Sequence, residues 1–165
     1  MELLTQKISV SLRLRTMLLD HLILCFTAGV PFLVYELTTP IDKLKGTTIT
    51  WFLVPMFAIY FCKDCINGRS PAKRILNIAV VDYRTNASAS AFQSLVRNLF
   101  IVIWPVEVIV ALFDQERRIG DRVAGTKIRY YHSSNPVRVN IPALSACVLI
   151  ASMFSYFLIW ALDKF

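Results

Sequence analysis

Asp20 and Glu107 are carboxylates set inside long apolar stretches, and Asp121 is a carboxylate set among arginines. A carboxylate at membrane depth costs at least ~2.5 kcal/mol even on the lenient insertion scale, so it must face protein or water. There it can hold a cation, pass a proton, or dock one helix on another. Arg13 and Asp20 lie seven residues apart, nearly two helical turns. Thr16 and Thr27 fall on the same side, so Arg13, Thr16, Asp20 and Thr27 form one polar stripe on an otherwise apolar helix. Side chains lean toward the helix N-terminus, which aims Arg13 away from Asp20. Asp20 is therefore expected to meet the Thr16 hydroxyl or a cation from another segment, Arg97 or Arg118. Glu107 and Asp114 share a face if residues 98–113 are helical, with Arg118 continuing that stripe. Asp114, beside Arg117 and Arg118, reads as interfacial pairing.

The densest polar motif runs from Arg118 through Gly120, Asp121 and Gly125 to Thr126. Gly120 and Gly125 permit left-handed or close-approach backbone, and the arginines should lower the Asp121 pKa. An Arg13–Asp121 pair is expected to clasp this motif to the start of the first helix, because charge-assisted arginine–carboxylate bonds are strong. Metal chemistry is not indicated. Cys62-x-x-Cys65 has no second pair, and His21 and His132 are remote, so both cysteines are expected to be replaceable by serine. Without a Gly-rich phosphate loop, a Ser/His/Asp order or an HExxH, neither enzyme nor cofactor is expected.

These residues must be positioned by membrane helices. Of the 165 residues 56% are apolar and only 18% charged, with a mean hydropathy of +0.55. Thr16–Leu37 and Pro142–Leu162 are each long enough to span, and Thr47–Cys62 is shorter but uncharged. Asn98–Phe113 holds Trp104, Pro105 and Glu107. If it dips in and returns, or lies along the surface, only Lys43, Lys45 and Lys164 are left outside a cytoplasmic N-terminus, as the positive-inside rule favours. Pro31 permits a kink in the first helix. Residues 1–12 read as a surface segment, Ile75–Asp82 and Lys127–Tyr131 as strands, and Ser90-x-x-Gln93 as a capping box starting a helix near Ala91. The net charge of +7 flanks apolar segments, which points to membrane loops and anionic lipid rather than nucleic acid. In the last helix Ala143, Cys147, Ala151 and Ser155 form a ridge of small side chains, fit for packing within the chain or for a second copy or partner subunit.

Three motifs in order resemble the RDD family of bacterial membrane proteins. Arg13-x-x-Thr16-x-x-x-Asp20 matches its opening arginine and first aspartate, with threonine where alanine is usual. Gly68-Arg69-Ser70-Pro71-Ala72-Lys73-Arg74 with Val80-Val81-Asp82 resembles the central stretch, with Ala72 in place of glycine. Arg118 to Thr126 resembles the closing motif, with Asp121 as the second aspartate. The resemblance covers roughly residues 10–130, leaving the last helix as an addition in 131–165, and it implies a role in transport, including cation–proton exchange. The expected fold is an all-α membrane protein with three transmembrane helices, one re-entrant or interfacial helix, and a small cytoplasmic strand-containing subdomain within the insert 63–97. The expected function is a small cation- or proton-linked transporter or transporter subunit acting through Asp20 and Glu107. The alternative is a non-catalytic membrane scaffold or assembly subunit.

Overall fold

The computed structural model describes residues 2–4, 8–40, 46–113, 117–132, 139–162 and 164. The first helical run starts at Val10, capped by Ser9, whose hydroxyl oxygen accepts from the Leu12 amide. It comprises α1 (Val10–Leu24), a π-helical turn (Cys25–Gly29) and α2 (Val30–Thr38). The wide turn has a local cause. Pro31 lacks an amide hydrogen and its ring crowds the carbonyl four residues back, so the helix loosens there. The Val30 amide reaches back to the Cys25 carbonyl, five residues away, and the Thr27 hydroxyl takes the Ile23 carbonyl at 2.7 Å.

The 29 residues of this run extend about 44 Å, well beyond a hydrocarbon core of ~30 Å. Arg13, Thr16 and Asp20 are buried, whereas the π turn and α2 bury no residue. The run therefore begins inside a folded subdomain and continues as an exposed apolar helix. Asp20 is the last buried residue of the run before the exposed stretch. Thr27 is exposed, so the four-residue stripe stops at Asp20.

After α3 (Gly46–Cys62) come α4 (Pro71–Ile75), β2 (Ile78–Asp82) and α5 (Ala91–Leu99). The expected strand from Ile75 begins only at Ile78, because Ser70 caps and Pro71 starts a short helix through Ile75. Ser90 and Gln93 form the expected capping box of α5, with bonds of 3.1 and 3.0 Å. A 3-10 turn (Phe100–Ile103) leads into α6 (Trp104–Phe113), followed by α7 (Ile119–Val123), β3 (Thr126–His132) and α8 (Ile141–Leu162). Asp114 and the first loop's Lys43 and Lys45 lie outside the described residues. The shared Glu107–Arg118 stripe does not form on one helix, since α6 ends at Phe113 and Arg118 caps α7.

β1 (Glu2–Leu4) also departs from expectation. It pairs with β3, giving a three-stranded antiparallel sheet in the order β1-β3-β2 with Ile78 opposite Tyr130. Ile8, Ile78 and Ile128 bury a small core against this sheet, so the start of the chain belongs to the subdomain. A second core joins α3, α5 and α8 through Phe61, Cys62, Cys65, Leu95, Cys147 and Ala151. Cys147, Ala151 and Ser155 of the small-residue ridge are covered inside the chain, as α8 packs along α3 and against α5. Two helical runs, Val10–Thr38 and Ile141–Leu162, are long and apolar enough to cross a membrane, whereas α3 has 17 residues.

Candidate functional site

Among the described residues, five cations and four carboxylates, contributed by six segments of the chain, meet in one continuous buried network. It starts just past the end of α3 with Lys63, whose ammonium lies 3.5 Å from Asp20. Lys73 bridges Asp20 at 3.4 Å and Asp64 at 2.8 Å. Arg97 then bridges Asp64 at 3.5 Å and Asp121 at 2.6 Å. Arg13 closes on Asp121 at 2.5 Å, and Arg118 lies between Asp121 at 3.6 Å and Glu107 at 3.2 Å. Opposite charges alternate along the whole path, so each desolvated ion has a counter-ion.

Local structure explains each position. Ser70 begins α4 with its side chain accepting from the Lys73 amide, and its own hydroxyl donates to Asp20 at 2.9 Å. The Ser70 amide donates to Asp64 at 2.9 Å, so one turn orients two carboxylates. Asp121 occupies the third position of α7, where its carboxylate accepts from the Arg118 amide at 3.1 Å and from the Thr126 hydroxyl at 3.2 Å. Glu107 accepts from the Gly120 amide at 2.8 Å. Gly120 has no room for a side chain, since a Cβ would fall 2.4 Å from the Arg97 carbonyl oxygen. That close approach seats α7 on α5. Gly125 has φ +65°, the left-handed backbone expected of it, and ends the α7 turn before β3. The Asn98 amide donates to the Phe61 carbonyl at 3.0 Å, satisfying an otherwise open group in the last turn of α3.

The electrostatics follow from this packing. Burial alone would raise the Asp121 pKa, but Arg97, Arg118 and Arg13 outweigh it and hold the carboxyl down at about 2. Asp64 is likewise held below the carboxylate range against its burial, by Lys73, Arg97 and Lys63. Burial pushes Lys63 down to about 8, a shift that nearby Asp20 only partly offsets.

The structure brings together Arg13, Asp20, Glu107, Arg118, Gly120 and Asp121, and the Arg13–Asp121 clasp forms as expected. The expected partners of Asp20 do not. Thr16 is buried beside the site, yet its hydroxyl takes the Leu12 carbonyl at 2.7 Å, the ordinary fallback of a helical threonine. Arg97 and Arg118 serve Asp64, Asp121 and Glu107, leaving Asp20 to Lys63, Lys73 and Ser70. Lys63, Asp64 and Lys73 were missed as site residues. Their signal was the charged Lys63-Asp64 pair directly after an uncharged helix, inside the Cys62-x-x-Cys65 spacing that drew attention to the thiols. Those thiols are buried in the apolar core, so serine there would place hydroxyls among Phe61 and Leu95 and would not be neutral.

The alternating network carries the arginine and the two aspartates named in the closing and opening motifs, together with the central lysine stretch that separates them. No curated protein and no solved structure matches the chain. The family model of the RDD family matches residues 9–164, taking in the last helix that the motifs left aside, and the chain belongs to that family.

Proposed function

We propose that this chain is a non-catalytic, multi-pass scaffold or assembly subunit of the cell (inner) membrane, with its N-terminus and sheet on the cytoplasmic face. One observation carries the reading. Asp20, Asp64, Glu107 and Asp121 each face a cation from a different segment of the chain. Such an arrangement fastens helices to the subdomain and offers a travelling cation no open carboxylate. α3 is the third span in this reading, about 26 Å long and packed lengthwise on α8. Residues 98–113 are the re-entrant or interfacial piece. Both the Arg97 carbonyl and the Glu107 carboxylate lie against Gly120, so the stretch between them folds back. α6 itself is about 15 Å long, half a hydrocarbon core.

The second reading, a cation- or proton-linked transporter subunit, draws on Lys63 beside Asp20 at the membrane boundary, where an ammonium with a pKa of about 8 can release a proton. Reconstitution separates the two. Proteoliposomes with an internal pH dye and imposed sodium, potassium or calcium gradients should show no flux above empty vesicles. Flux that Asp20→Asn abolishes would overturn the scaffold reading and establish the transporter.

A further inference from the structure

We propose that the cleft between the first spanning helix and α3 seats an anionic phospholipid of the network-side leaflet, with its phosphate at Lys63 and His21. The proposal rests on the chain being embedded in a membrane, and it holds whether the chain is a scaffold or a transporter.

The first helix meets α3 through rings at two levels. His21 sets its edge on Tyr60 with centroids 6.2 Å apart, and Phe32 and Tyr35 meet Phe52 at 5.5 and 5.1 Å. Between these levels the first helix carries the small residues Cys25, Ala28 and Gly29. Cys25 is exposed, and a Cβ added to Gly29 would meet nothing within 4 Å. No residue of the π turn or α2 is buried, so this strip is open to an acyl chain.

The network end of the cleft supplies the charge. Lys63 is the terminal member of the network and its ammonium lies 4.0 Å over the Tyr60 ring. Its contact with Asp20 is a loose 3.5 Å ion pair, whereas Ser70 and Lys73 also serve that carboxylate. Among the described residues the Lys63 ammonium makes no hydrogen bond, although it is capable of three. Lys63 is the most exposed cation of the network among the described residues. A phosphodiester supplies a close anion and hydrogen-bond acceptors together. The depressed Lys63 pKa agrees, since burial opposes its charge until an anion arrives. Exposed His21 adds a second donor at the same level.

The test uses the full chain in dodecyl maltoside, probed with dioleoyl-phosphatidylglycerol, dioleoyl-phosphatidylcholine and inorganic phosphate. Native mass spectrometry reads retained lipid and a thermal melt reads stabilisation. Phosphatidylglycerol should be retained and raise the melting temperature, while phosphatidylcholine and phosphate do neither. Lys63→Gln should weaken that retention about fivefold, the effect of one lysine at an anionic surface, and Lys63→Arg should restore it. Gly29→Leu should lower retention without lowering the lipid-free melting temperature, and exposed Arg84→Gln should leave retention intact. Should Lys63→Gln fail to fold, His21→Ala and Gly29→Leu carry the same reading. Equal retention of phosphatidylcholine, or retention unchanged in Lys63→Gln and Gly29→Leu, would overturn the proposal. Inorganic phosphate acting alone would identify a free-anion site instead and overturn the lipid assignment.

Discussion

Asp121 accepts from Arg13, the Arg118 amide and the Thr126 hydroxyl and pairs with the Arg97 and Arg118 guanidiniums, so its loss strands more charge than the loss of any one arginine. Removing one partner of a buried pair costs ~3–5 kcal/mol. Asp121→Asn should therefore lie at the top of that range or above it, and Arg13→Gln below Asp121→Asn, with a coupling of ~0.5–3 kcal/mol in the double-mutant cycle measured by thermal melts in detergent. Strictly additive losses would show that the clasp carries no energy of its own. The same carboxylate sets an acid limit. Its folded pKa of about 2 lies below its ordinary 3.8, so the folded state binds the proton less readily than the unfolded state. Its stabilisation is thus complete above about pH 4 and is lost as pH falls from there toward 2. Melts across that window should steepen in the parent and flatten in Asp121→Asn. Arg13–Asp121 was legible in the sequence because helix position alone placed Arg13 at the surface where the closing motif returns. Lys63–Asp20 was not, because Lys63 belongs to an irregular turn, where no periodicity says which way a side chain faces.

At the scale of elements, two glycines test opposite kinds of surroundings. Gly120 abuts the Arg97 backbone, which cannot swing aside as a side chain would. Gly120→Ala should cost ~1–3 kcal/mol by forcing α7 off α5, and the Glu107 and Asp121 contacts should loosen with it. Gly29→Ala meets open space at an ordinary helical φ of −70°, so it should be neutral or stabilise by up to ~1 kcal/mol through helix propensity. Paired thermal melts check both, and equal losses would mean that packing around the two helices has been misassigned. The local elements were largely readable: the capping box at Ser90, β3, and the disturbance from Pro31 all follow from nearby residues. β1 was not readable, since Glu2–Leu4 is extended only because β3, far along the chain, supplies its partner. The split of Ile75–Asp82 into a helical end and a strand shows Ser70-Pro71 overriding branched residues that favour strand.

At the scale of the whole molecule, the proposed membrane reading makes the network decide which ends of the helices share a membrane face. Arg13 near the start of α1, Asp64 just after α3, and Asp121 in α7 all belong to one cluster, so these three points lie on one side. The far end of the first run, at Leu37, lies roughly 25 Å further along the helix from Asp20. A protein with the exposed Cys25 replaced and single cysteines introduced reports this directly. Thr85→Cys in the exposed turn after β2 and Val123→Cys on the exposed face of α7 should react with a membrane-impermeant maleimide from the same side. Leu37→Cys should react only from the other. The Val123 result matters most. Had residues 98–113 crossed completely, α7 would emerge opposite Thr85, and Asp121 would then be unable to reach Arg13 or Arg97. Opposite labelling of Thr85→Cys and Val123→Cys would therefore break the network as well as the topology, because a buried chain of ion pairs cannot be divided across a bilayer.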